Sequence, residues 1–104
     1  MKAAAVQAAA AFLILPSLAM AQTKAPAAAQ MCSTCHGANG ISQIPNAPHL
    51  AGQPAIYIAE QMKAYRSGKR SHEVMNVVAK PLSDADIDAL AAWYASIKIE
   101  VKLP

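Results

Sequence analysis

Cysteine, aromatic residues and charge are all scarce in this 104-residue chain. It has two cysteines, Cys32 and Cys35, three tyrosines and one each of tryptophan and phenylalanine. Two cysteines are too few for a zinc site built from paired thiolates, which wants four ligands at paired spacings. A thioredoxin-like redox pair wants a βαβ setting, and no strand or hairpin signature is present. Charged residues make up 14% of the chain and the net charge is +3, without the marked basic excess of a nucleic-acid binder. With so few aromatics, a small domain has little of its own from which to build a core.

The two cysteines belong to the run Cys32-Ser33-Thr34-Cys35-His36. Thiols three positions apart can bond to the two vinyl groups on one side of a haem. A histidine directly after the second thiol is then held over the porphyrin face, where its imidazole can ligate the iron. The C-x-x-C-H spacing reads as covalent c-type haem attachment. A buried porphyrin would supply the missing core, and its thioether bonds would staple a domain of this size.

The N-terminus points to export. Met1-Lys2 is a short positive start, Ala3–Leu15 is apolar apart from Gln7, and Ala19-Met20-Ala21 is an A-x-A cleavage signature. Cleavage after Ala21 removes residues 1–21 as a signal peptide and leaves 83; cleavage after Ala19 is the second choice. An uncleaved anchor fits less well, because Pro16 leaves an apolar run shorter than the ~20 residues of a spanning helix. No cysteine follows the cleavage site, which disfavours a bacterial lipoprotein. The mature chain keeps eight Lys or Arg against six Asp or Glu, and two haem propionates would bring it near neutrality. Export suits a haem that is attached outside the cytoplasm, so the periplasm is the expected location, with no membrane insertion after signal removal.

Helical signals dominate the remainder, and the fold class is all-α. Pro26 opens a short helix that runs into the cysteine motif, and Gly37-Ala38-Asn39-Gly40 breaks it. Residues 41–52, with Pro45 and Pro48, read as an ordered loop. Pro54 opens a second helix that stops at Gly68, with Ile58, Met62 and Tyr65 on one face. A short turn is expected over Glu73–Ala79. Ser83-Asp84-Ala85-Asp86 caps a final helix carrying Ile87, Leu90, Ala91, Tyr94 and Ile97 on its apolar face. Residues 22–97 form one haem domain and residues 98–104 an extended tail.

A haem with one histidine leaves the sixth iron position open, and its occupant decides between electron transfer and ligand chemistry. Met31, Met62, Met75, His49 and His72 are the candidates. Met31 is adjacent to Cys32 and on the wrong side; Met62 sits on a core stripe. His72 reads as an exposed loop histidine and His49 as a group near the haem edge or solvent. Met75 lies between the Gly68 and Pro81 breaks, where a loop can carry it to the far haem face, although core packing explains it nearly as well. Lys63, Arg66, Lys69 and Arg70 read as a solvated helix face with one arginine near a propionate, in preference to a docking patch. Tyr57, Trp93 and Tyr94 are core or haem-packing groups.

From Gln30 to Ser96 the chain resembles the class I cytochromes c, in particular small bacterial periplasmic monohaem cytochromes and one half of their dihaem relatives. The likeness rests on Cys32-Ser33-Thr34-Cys35-His36-Gly37, Asn46-Ala47-Pro48-His49-Leu50-Ala51-Gly52-Gln53, Tyr57, Gln61-Met62, Gly68-Lys69-Arg70, Met75, Leu82-Ser83-Asp84 and Leu90-Ala91-Ala92-Trp93-Tyr94-Ala95-Ser96. The resemblance implies three or four helices around one covalent haem c, His36 as proximal and Met75 as distal ligand, and the Pro48 carbonyl on the His36 Nδ1 hydrogen. It implies a one-electron carrier, not an enzyme, that meets donor and acceptor proteins transiently. Two alternatives remain: the cytochrome subunit of a larger dehydrogenase, or a haem enzyme or gas sensor with a dissociable sixth ligand. The short N-terminal helix departs from the family pattern and should pack weakly on the last helix.

Overall fold

A computed structural model describes residues 1–15 and 24–104. The cleavage signature and the boundary after Ala21 lie outside the described residues. Met1–Leu15 have no regular secondary structure and are exposed. Four helices follow, and among the described residues there is no strand: α1 is Ala29–His36, α2 Ala55–Ser67, α3 Met75–Ala79 and α4 Asp84–Ser96.

Each helix boundary follows from local chemistry. Pro26 sits one turn before α1, its carbonyl accepting the Ala29 N–H at 2.9 Å, so the helix begins three residues later than the proline predicts. Gly37 ends α1 at φ 83°, donating to Ser33 O at 3.0 Å; a Cβ there would run into the Ile41 carbonyl oxygen. Pro54 precedes α2, and Gly68 closes it in the left-handed conformation at φ 82°. The expected Glu73–Ala79 turn is α3, shortened to five residues, with no side-chain cap at Val74. At α4 the Ser83 hydroxyl accepts the Asp86 N–H and the Asp86 carboxylate accepts the Ser83 N–H, each at 3.0 Å, which satisfies two otherwise orphaned donors.

The core is slight. Ile87, Leu90, Ala91 and Tyr94 of α4 meet Ile58 of α2, Leu82 and Ala29, with Met62, Trp93 and Ile97 packed around them. Tyr94 and Ile87 are the largest fully buried side chains. α4 packs chiefly on α2, and α1 joins through Ala28, Ala29 and Cys32, the limited docking expected of a short first helix.

Backbone bonds fix the loop between α1 and α2. The Gly40 carbonyl accepts from Leu50 N at 2.7 Å and Ala51 N at 3.1 Å, and Gly52 N donates to Tyr94 O at 2.9 Å. These bonds close the loop on itself and tie it to α4, and the Ser42 hydroxyl, donating to Cys35 O at 3.2 Å, ties it to α1. Residues 98–104 have no regular secondary structure and are exposed, with Ile99 lying over Gly52.

Candidate functional site

A mostly apolar cavity of about 410 Å³ opens between α1, the 44–53 loop, α2 and α3. That volume falls in the range of sites that hold organic cofactors, roughly 300–1,000 Å³.

The last turn of α1 supplies one wall. Cys32, Cys35 and His36 all line the cavity. Helical spacing puts the thiols on neighbouring positions of one face, because residues three apart are neighbours on a helix. His36 is 8% exposed, and its Nδ1 donates to the Pro48 carbonyl at 2.8 Å. With its proton held there, the neutral ring keeps a lone pair on Nε2, the state a metal-binding imidazole needs. The two cysteines are half-buried and not joined in a disulfide. Burial pushes the Cys32 thiol up, with a hydrogen bond from Tyr94 acting the other way. Cys32 is therefore a protonated thiol at neutral pH, unlike a reactive thiolate. Burial also pushes the Tyr94 hydroxyl far above its ordinary range, with the neighbouring Cys32 adding to the effect.

α2 and α3 supply the other walls. Met75, the first residue of α3, is half-buried and lines the cavity with Val74 and Val78. Met62 serves two purposes, packing on the core and lining the cavity. Arg70 reaches the cavity with its guanidinium 4.6 Å from the Tyr65 ring centroid, donating to Gln61 Oε1 at 2.7 Å. Tyr57 stands at the rim, 46% exposed, whereas Trp93 packs on the core and does not line the cavity.

Cys32, Cys35, His36, Pro48 and Met75 thus border one cavity. The other candidates fall out differently. Met31 also touches the cavity from its place beside Cys32. His49 does not: it is exposed, and its Nδ1 accepts the Ser42 N–H at 2.8 Å. His72 also lines the cavity and is exposed as expected, yet its Nδ1 accepts from both Val74 N and Met75 N at 3.2 Å, and its ring meets Tyr65 edge-on. The basic cluster is not one open face. Arg66 donates to Leu82 O at 3.0 Å and pairs with Asp84 at 2.6 Å, while Arg70 turns to the cavity. Sequence reasoning missed the roles of Gln61, His72 and Asn76 in holding this region. An asparagine inside a five-residue helix was a usable signal, since such side chains compete for backbone groups.

Among the described residues no cluster of three or more His, Cys, Asp or Glu side chains could hold a metal by itself. Among the described residues no helix is long and apolar enough to cross a membrane. The donor set instead fits a haem: two thiols and an imidazole of fixed tautomer on one segment, a thioether on another, and apolar walls between.

Comparison with known proteins agrees with this chemistry. The model of the cytochrome c family matches residues 20–98. The chain is 45% identical over 76 residues to a thiosulfate dehydrogenase electron acceptor of Thiomonas intermedia, covering 71% of this chain and 35% of that protein. It is 43% identical over 68 residues to cytochrome c-554(548) of Halomonas halodenitrificans, covering 62% of this chain and 82% of that one. Its fold resembles reduced cytochrome c4 from Pseudomonas stutzeri at a TM-score of 0.61 and 35% identity, over 64% of this chain and 38% of the other. The chain therefore spans about a third of the length of some relatives and most of another.

Proposed function

The chain belongs to the class I cytochrome c family, and from that premise we propose that it is a bacterial periplasmic electron carrier with one covalent haem c in residues 22–97, after removal of residues 1–21. The observation that carries this reading is the shared cavity of Cys32, Cys35, His36 and Met75, with the His36 Nδ1 proton held on Pro48 O. When bound, haem c supplies reversible one-electron exchange at iron.

This chain's residues would set the terms of that exchange. Cys32 and Cys35 carry the thioether bonds. His36 presents Nε2 as proximal ligand, because Pro48 holds the opposite nitrogen. Met75 would hold the group from the opposite side, and as a soft neutral donor it would favour the reduced state and raise the potential. Ile58, Val78 and Leu90 line the cavity and exclude water from it, and Arg70 supplies a cation at its border for a propionate. Held between the His36 imidazole and the Met75 thioether, the group would leave no opening for small ligands, which suits a carrier and not a catalyst. Donor and acceptor proteins meet such a carrier briefly, through small interfaces.

A second reading has its own support. The name of the 45% identical relative is that of an electron acceptor for a dehydrogenase. In that case the chain is the accepting partner of a catalytic subunit, and co-purification at fixed stoichiometry identifies it.

The deciding experiment is the oxidised and reduced absorption spectrum of the mature protein, made with the haem-attachment machinery present. A covalent low-spin haem with the weak red-edge band of ferric Met ligation supports the carrier. A high-spin spectrum that shifts readily with carbon monoxide removes Met75 from iron and favours ligand chemistry. Protein made without any attached haem rejects the proposal.

A further inference from the structure

The segment that delivers Met75 to the cavity has almost nothing apolar holding it. Ser67 through Val74 are all exposed, α3 is five residues long, and of its residues Ala79 alone is fully buried. A chain segment without buried side chains is held by its hydrogen bonds: Arg70 N donates to Ala64 O at 3.0 Å, the His72 ring accepts from Val74 N and Met75 N, and three further bonds meet at the Asn76 carboxamide. Its Oδ1 accepts the His72 N–H at 2.6 Å. Its Nδ2 donates one hydrogen to Tyr65 O and the other to Arg70 O, both at 2.8 Å. The carboxamide thereby uses both of its hydrogens. It joins three places: the last turn of α2, where Tyr65 O also accepts the Gly68 N–H, the loop at Arg70, and the loop at His72. Asn76 directly follows Met75, so this brace acts on the peptide that carries the thioether.

We propose that Asn76 is a positioning residue for the distal ligand, locking the 68–76 segment so that Met75 stays at the sixth iron position. The proposal rests on the assignment of Met75 as distal ligand. Asn76 touches neither the metal nor a redox partner; it acts by making an alternative path of the segment costly. Once the brace is lost, the Met75 thioether leaves more often and outside ligands enter faster. Asn76→Asp is the sharper probe, since it keeps size and the acceptor for His72 N but turns a lone pair toward two carbonyls. Asn76→Ala removes the brace outright.

The experiment compares the mature haem-loaded wild type with both variants and with Ser83→Ala, which weakens the α4 cap at a residue that does not line the cavity. The red-edge band, the rate of cyanide binding to the ferric protein and the thermal midpoint are measured for each. Both Asn76 variants should weaken the band and bind cyanide about tenfold faster or more, the equivalent of losing about one net hydrogen bond. Ser83→Ala should lower the midpoint without either change. Cyanide binding at the wild-type rate in the Asn76 variants, or a rise matched by Ser83→Ala at equal loss of stability, overturns the proposal. A wild type that lacks the band, or a Met75→Ala variant that keeps it, rejects the ligand assignment itself and is distinguished from failure of the brace.

Discussion

The α1 side of the cavity is held mainly by backbone geometry, whereas the α3 side leans on side chains as well. On the α1 side, Cys32, Cys35 and His36 follow one another on a single helix, and Gly37 and Gly40 turn the chain where no other residue fits. The loop that brings Pro48 to His36 is laced by main-chain bonds to Gly40 and Tyr94. On the α3 side, an exposed segment is tied by the side chains of Asn76, His72 and Arg70 to nearby carbonyls and amides. The difference teaches that one wall is a rigid seat and the other a latch. A seat suits a ligand that is covalently anchored nearby, and a latch suits one that depends on local packing for its occupancy.

The comparison breaks most completely at the cysteines. Cys32→Ser with Cys35→Ser should abolish covalent attachment, read as loss of the haem-stained band on a denaturing gel. Because the core itself is slight, that variant should also lose its cooperative thermal transition. Met75→Ala tests the opposite wall and should behave otherwise. The haem-stained band stays, the red-edge band disappears and carbon monoxide binds the reduced protein readily. Truncating a half-buried methionine costs about 1–2 kcal/mol, a modest part of the stability.

A pair of glycines sharpens the same contrast in energy. Gly37 and Gly68 share a positive φ, 83° and 82°, so alanine is strained at both. At Gly37 a Cβ also collides with the Ile41 carbonyl, whereas at Gly68 it meets nothing within 4 Å. Gly68→Ala should therefore cost about 1–2 kcal/mol, the backbone preference alone. Gly37→Ala should cost about 3 kcal/mol or more, because backbone must move as well. Denaturant unfolding of the two haem-loaded variants gives both values; equal costs would show that the loop after α1 yields as easily as the one after α2.

The two walls were also unequally legible in the sequence. The seat was readable because its chemistry is local: five consecutive residues name the group they bind, and glycines mark the turns beside them. The four helices and the Ser83 cap were readable for the same reason, through spacing and end residues. The latch was not. Its position depends on where carbonyls of Tyr65 and Arg70 end up in space, and Asn76 shows no periodicity that would reveal them. His72, read as an idle loop residue, holds the first turn of α3. The basic cluster misleads in a similar way, since linear proximity hides that Arg66 reaches sixteen residues on to Leu82 O.

The smallest expected effect concerns the start of α4, whose capping residues do not line the cavity, and shows what surface electrostatics contribute. The Asp84 carboxyl is held below its ordinary value first by its hydrogen bond to Arg66 and then by that residue's charge; the Asp86 carboxyl is held down by its bonds to Ser83. A carboxylate whose pKa is depressed on folding stabilises the fold above its unfolded value, and that contribution fades as pH falls through the folded value. Both groups are exposed, so solvent screens the effect and it stays small. The thermal midpoint should thus be flat from neutrality to about pH 5 and begin to fall below the ordinary carboxylate range. Asp86→Asn should flatten that acid limb while leaving cyanide binding at pH 7 untouched, because the cap and the latch share no hydrogen bond. An acid limb unchanged in Asp86→Asn would assign the loss to other groups; faster cyanide entry in the same variant would mean that the start of α4 and the Met75 segment move as one unit.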